Sequence, residues 1–175
     1  EEVYKGGIIA SSEFAIALNR KLVVNGGNYI NARSFINQTG GEVIINDGYF
    51  ERTNPVDYST NNNQIVVSSN GTMEINGGTF KSKTNGLSGG RTSLLVINDV
   101  NMNIPGTAID TFSSVTMEGG SITCGGTAIN ESNLTMNGGK IYSTVYNGSA
   151  LYGHWSGPNF IMNGGEIEMV TTDPV

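Results

Sequence analysis

The sequence predicts an all-β fold: a right-handed parallel β-helix, or β-solenoid, of about eight coils with three short strands in each. Three observations carry this. An eight-residue phrase recurs (apolar, any, apolar, Asn, Gly, Gly, any, apolar), its copies lie 19 to 30 residues apart, and the composition is wrong for helices. Only 14% of residues are charged, while Gly occurs 25 times and Asn 22 times in 175 residues, so the Lys, Arg and Glu that normally cover helix surfaces are scarce.

The phrase reads LVVNGGNY from Leu22, VIINDGYF from Val43, MEINGGTF from Met73, LVINDVNM from Leu95, VTMEGGSI from Val115, LTMNGGKI from Leu134 and FIMNGGEI from Phe160, preceded by a degenerate EVYKGGII from Glu2. Its fourth positions (Lys5, Asn25, Asn46, Asn76, Asn98, Glu118, Asn137, Asn163) are separated by 20, 21, 30, 22, 20, 19 and 26 residues. Helical repeats need roughly 33 to 47 residues per unit, so a coil of short strands fits and helix pairs do not.

Each element of the coil follows from the phrase. Its first and third positions are apolar while the second varies from Glu74 to Thr116 to Ile161, the alternation of a strand with one face buried. Asn-Gly-Gly then stops the strand at a corner, because Gly and, next, Asn tolerate positive φ. The eighth position is again large and apolar (Tyr29, Phe50, Phe80, Met102, Ile122, Ile141, Ile167) and marks a second strand. A third comes from Ala15-Ile16, Phe35-Ile36, Ala108-Ile109, Ala128-Ile129 and Ala150-Leu151. Stacked about 4.8 Å apart, coils align equivalent residues into columns: Val24, Ile45, Ile75, Ile97, Met117, Met136 and Met162 in one, and Leu22, Val43, Met73, Leu95, Val115, Leu134 and Phe160 in another. Asn25, Asn46, Asn76, Asn98, Asn137 and Asn163, with Glu118 among them, are expected to form a structural amide ladder along the corner.

The MNGG phrases at Met136 to Gly139 and Met162 to Gly165, with GTAI at Gly106 to Ile109 and Gly126 to Ile129, resemble the repeats of pectate-lyase-like β-helix modules in large surface proteins of gut and soil bacteria. The likeness covers nearly the whole chain and rests on structural motifs. That superfamily includes polysaccharide lyases, polygalacturonases, phage tailspikes and non-catalytic adhesins, so the resemblance implies the coil and leaves the activity open.

The chain has room for one domain, 1–175. It opens at Glu1-Glu2-Val3 without a leader pattern and stops at Asp173-Pro174-Val175 without an anchor signal, and so reads as an excised module flanked by other domains of a larger protein. The formal net charge of −6 and the lack of a basic run disfavour nucleic acid. No apolar run approaches the length of a membrane span. A single Cys124 and a single His leave no zinc set, and Cys124 reads as a small residue packed in the stack. No metal or other cofactor is expected. An Asn-rich, charge-poor, cysteine-poor chain suits an extracellular, cell-surface setting.

Catalytic patterns are thin. Glycoside hydrolysis needs two facing carboxylates, and the best pair, Asp99 and Glu118, lies on the ladder corner without an accompanying Arg. A Ca²⁺-assisted lyase needs clustered carboxylates beside a basic residue, yet the five Asp fall in different columns on adjacent coils and the four Arg are scattered. Asp110 and Asn130, in a polar column with Asn37, read as a short ladder or a shared cation site, the ladder being the simpler account. Two coils carry insertions, where binding residues concentrate on a rigid scaffold. Residues 51–64 are polar, with Asp57 and Tyr58; residues 142–159 hold three of the seven Tyr, the one Trp and the one His. Tyr146, Tyr152, His154 and Trp155 form the candidate ligand-binding set, aromatic faces stacking on sugars and polar tips meeting hydroxyls; the competing reading folds Tyr152 and Trp155 down as a lid over a coil. Val23, Ile44, Val96 and Ile161 are expected to form an exposed apolar stripe. The expectation is a non-catalytic binding or adhesion module that contacts glycans or a host or neighbouring-cell surface, with a polysaccharide lyase or hydrolase, and a stalk or phage fibre segment, as alternatives.

Overall fold

The computed structural model describes residues 2–4, 8–11, 16–54, 64–144, 149–153 and 157–170, and of residues 2–18 the backbone alone. These residues form a parallel β-solenoid of 21 strands without a helix. Every strand pairing is parallel.

One face is built from β1 (Glu2–Tyr4), the first halves of β4 (Lys21–Asn31) and β6 (Glu42–Arg52), β8 (Gly71–Ile75), β11 (Ser93–Ile97), β14 (Ser114–Met117), β17 (Asn133–Met136) and β20 (Phe160–Met162). A second takes β2 (Ile8–Ser11), the second halves of β4 and β6, β9 (Thr79–Ser82), β12 (Asn101–Ile104), β15 (Ser121–Cys124), β18 (Lys140–Ser143) and β21 (Glu166–Met169). The third is a separate sheet of seven: β3 (Ile16–Leu18), β5 (Ile36–Gln38), β7 (Val66–Ser68), β10 (Leu87–Gly89), β13 (Ile109–Asp110), β16 (Ile129–Asn130) and β19 (Leu151–Tyr152). Seven coils supply all three faces; the eighth, β20 and β21, supplies two among the described residues.

The Asn-Gly-Gly corner behaves in two ways. From the fourth coil onward it ends the strand, and the phrase's second glycine takes a φ closed to most residues: +108° at Gly78, +86° at Gly120 and Gly139, +85° at Gly165. A Cβ on Gly120 would also lie 2.3 Å from the backbone nitrogen of Val100, so the coils approach too closely here for a side chain. In the second and third coils the strand is not stopped, contrary to expectation. Strands β4 and β6 run 11 residues each through the corner and pair along most of their length, absorbing the bend as register shifts between Val24 and Asn25 and between Asn25 and Asn28.

Both predicted columns align residue for residue, as the strand registers show. They are buried from Leu22 and Val24 to Leu134 and Met136. Their last members differ: Phe160 and Met162 are 39% and 49% exposed, β20 being the edge strand of the sheet among the described residues. The second-face column contains an aromatic stack, with Tyr29 and Phe50 at 4.8 Å, Phe50 and Phe80 at 4.7 Å, and Phe35 edge-on to Phe50 at 5.7 Å. The third column includes Val66 and Leu87, which the Ala-Ile pattern does not reveal.

Polar groups are buried as well, and they sit at corners where backbone carbonyls lack a ladder partner. Gln38 Nε2 donates to the carbonyls of Gly41 (3.1 Å) and Thr72 (3.0 Å), and Gln38 Oε1 accepts from the Ser68 hydroxyl at 2.8 Å. Arg52, 1% exposed, donates through Nη1 to the Asn54 carbonyl and to Thr84 Oγ1, each at 2.6 Å. Cys124 is buried below Ser143, and its thiol reaches the Gly126 carbonyl at 3.1 Å. Loss of hydration pushes that thiol's pKa above its ordinary value.

Candidate functional site

The ladder corner forms as expected and has a direction. Each amide nitrogen donates to the coil before it: Asn46 to Asn25 Oδ1 at 2.6 Å, Asn76 to Asn46 at 2.8 Å, Asn98 to Asn76 at 2.6 Å, and beyond them Asn163 to Asn137 at 2.8 Å. Asn137 donates to Glu118 Oε1 at 2.9 Å. An ionised Glu118 has no proton to pass on to Asn98, so the chain of donors is interrupted once, at that step. These contacts give the Asn column a structural use. Asp99, which sequence pairs with Glu118, instead accepts the N–H of Val100 at 2.8 Å. Each of the two carboxylates therefore has a local hydrogen-bond partner of its own. Among the described residues no three His, Cys, Asp or Glu converge as metal ligands would.

On the first face, the outward second positions Val23, Ile44, Val96, Thr116 and Thr135 are only half-exposed, because stacked neighbours shield one another; Ile161, on the terminal coil, reaches 50%. The expected stripe is thus weaker than anticipated along the rod. The apolar exposure is concentrated at its end, in Phe160, Ile161, Met162, Met169 and Val170, with Leu94 the exception on the first face. The second face is polar outside. Tyr49 donates to Glu51 Oε2 at 2.7 Å, which raises the phenol's pKa, and Lys81 lies 5.5 Å from the Tyr49 ring centroid. Lys140 bridges Glu166 and Glu168, each at 3.4 Å, and these bonds, with Glu166 the stronger influence, raise its pKa.

Of the candidate binding set, the structure describes Tyr152; Tyr146, His154 and Trp155 lie outside the described residues, as do Asp57 and Tyr58 of the first insertion. Tyr152 ends β19 and is 42% exposed. Register places it in the outward row of the third face, Asn37, Val67, Ser88, Asp110, Asn130 and Tyr152 on successive coils. Asn37 shares the row with Asp110, as the sequence suggests, but Val67 and Ser88 separate them. The short ladder is real: Asn130 Nδ2 donates to Asp110 Oδ1 at 2.6 Å, and Thr111 Oγ1 donates to the same oxygen at 2.8 Å.

The corner that follows this row is unusual. Thr111 and Glu131 adopt φ of +60° and +50°, the left-handed region that a β-branched residue rarely enters, at a cost of roughly 1–2 kcal/mol each. Their N–H groups donate to the carbonyls of Asn130 and Tyr152, both 2.8–2.9 Å away, so this conformation ties each outward residue to the coil behind it. Sequence reasoning missed the strain, which a Thr and a Glu do not announce. In sequence, His154 and Trp155 fall between β19 and β20, outside the described residues.

Compared with known proteins, the chain matches no family model, no curated protein and no solved structure.

Proposed function

We propose that this chain is a non-catalytic binding module of pectate-lyase-like β-helix type, displayed outside a bacterial cell and contacting glycans or a neighbouring surface. The observation that carries the reading is Tyr152: an exposed aromatic in line with a carboxylate and an amide, and close in sequence to His154 and Trp155. Aromatic rings beside hydroxyl acceptors are what sugar recognition requires, since a pyranose offers both an apolar face and a rim of hydroxyls. A stacked solenoid holds such groups at fixed spacing, so little ordering entropy is lost when a ligand docks.

The test is a broad glycan array with the wild-type chain and a Trp155→Ala variant, each with and without Ca²⁺. Binding that the variant loses supports a carbohydrate-recognising module; a wild-type chain that binds no glycan overturns it. A second reading, a stalk or fibre segment, is favoured by the exposed apolar side chains of β20, Phe160, Ile161 and Met162. It predicts no glycan affinity and association through that strand, measurable by sedimentation over a range of concentrations.

A further inference from the structure

The Asn130 amide is oriented by its hydrogen bond. Its nitrogen points back to Asp110, so its oxygen faces away from that carboxylate. Asp110 uses Oδ1 for both Asn130 and Thr111, leaving Oδ2 as an acceptor with no donor among the described residues; Asn130 Oδ1 is in the same position. Both residues are half-buried and lie on adjacent coils, about 4.8 Å apart, with the Tyr152 ring one step further along the row. Two acceptors and an aromatic ring in line call for a ligand that brings hydroxyl donors and an apolar C–H face.

We infer that Asp110, Asn130 and Tyr152 form a saccharide subsite specific for neutral or amino sugars, with ring hydroxyls donating to Asp110 Oδ2 and Asn130 Oδ1 and the sugar's apolar face resting on Tyr152. The inference rests on the binding function proposed above and adds a place and a ligand class to it. Charge sets the class. Asp110 is an acceptor-only carboxylate, Glu131 is exposed on the next corner, and the chain carries a formal net charge of −6, so a uronic acid would bring a like charge to the subsite. A pectate-like chain is therefore a poor ligand for this face, although the coil resembles that of proteins that act on pectate.

The experiment uses the full chain on an array of mannan, galactan, glucan, chitooligosaccharide and polygalacturonate, comparing wild type with Asp110→Asn, Tyr152→Ala, Tyr152→Phe and Trp155→Ala. Asp110→Asn preserves the acceptor for Asn130 and the shape of the row while replacing Oδ2 by a donor. Unchanged thermal melting identifies it as folded; if it melts early, Tyr152→Ala, at an exposed position, decides the matter. Expected are binding to a neutral or amino glycan, at least a tenfold loss in Asp110→Asn and Tyr152→Ala, and retention in Tyr152→Phe. Wild-type binding that survives in Asp110→Asn and Tyr152→Ala but fails in Trp155→Ala overturns this subsite and leaves the binding function standing. Preference for polygalacturonate overturns the charge argument. Absence of all glycan binding by the wild type overturns the proposed function, and this subsite with it.

Discussion

Asn76 sits inside the ladder and makes two of its bonds, donating to Asn46 Oδ1 at 2.8 Å and accepting from Asn98 Nδ2 at 2.6 Å. Among the described residues Asn25 makes one ladder bond, accepting from Asn46 at 2.6 Å. A net amide hydrogen bond contributes about 0.5–1.5 kcal/mol, and these are surface bonds, so the lower half of that range applies. Asn76→Ala is then expected to cost about 1–2 kcal/mol and Asn25→Ala about half as much. Asn76→Asp separates the two roles: it keeps the acceptor for Asn98 but puts a carboxylate against Asn46 Oδ1, where a donor is needed. Its deficit relative to wild type should shrink below about pH 4, as the carboxyl regains a proton to donate. Urea unfolding followed by circular dichroism measures the three variants. Because a solenoid can lose coils without global unfolding, protection of the Asn76 and Asn98 amides, bonded to the carbonyls of Ile45 and Ile75, should be read alongside by hydrogen exchange. Asn76→Ala within 0.3 kcal/mol of wild type by rough measure, or no costlier than Asn25→Ala, would refute the directional ladder as a source of stability.

Phe50, fully buried between Tyr29 and Phe80, should lose about 3–5 kcal/mol on replacement by Ala, near the top of that range because both stacking partners lose a face; a shift in urea midpoint worth under about 2 kcal/mol would show that the stack collapses to fill the gap. Cys124, buried and with its thiol pKa raised by burial, should stay unmodified by a thiol reagent at pH 8 until the chain is denatured, and prompt labelling of the native protein would contradict its packed position. For Lys140 the pKa is raised by Glu166 and then Glu168, so its contribution is complete below the ordinary lysine pKa of about 10.4 and fades as pH rises through the higher folded value. Melting of wild type and Lys140→Gln should therefore converge above that range and in high salt; a gap that persists in both means that the Lys140 stem, and not its charge, holds β21.

The coil is legible in the sequence because a solenoid repeats one local solution. Each phrase states its own strand, corner and strand, and the columns from Leu22 to Leu134 and from Val24 to Met136 follow by alignment alone. The third strand is less legible where its apolar pair is Ile65-Val66 or Gly86-Leu87, since the alternation is short and the residue before it is not a constant Ala. Arg52 looks like a surface charge in sequence, but it occupies an inward position paired in register with Asn31 and Ser82, in a column that is polar at those coils. Of the candidate site, the aromatic content of residues 142–159 and the Asp110 and Asn130 column could be read directly. Tyr152 follows Ala150-Leu151 as Asp110 and Asn130 follow their Ala-Ile pairs, so its place in that column was legible too; the exposure of its ring was not, because it depends on what the neighbouring coils cover.

What the sequence determined by itself is the repeat: period, strand faces, glycine corners and the amide ladder, all set by contacts between equivalent positions of neighbouring coils. Only the tertiary structure decided which way the ladder donates, that Glu118 interrupts it, that the bend in β4 and β6 is absorbed within continuous strands, and that Thr111 and Glu131 hold a strained corner beside Tyr152. The physical reason is the range of each effect. Hydrophobic alternation and glycine's φ act within a few residues and are written locally, whereas the orientation of an amide or the exposure of a ring depends on groups some 20 residues away in the chain that meet only when the coils stack.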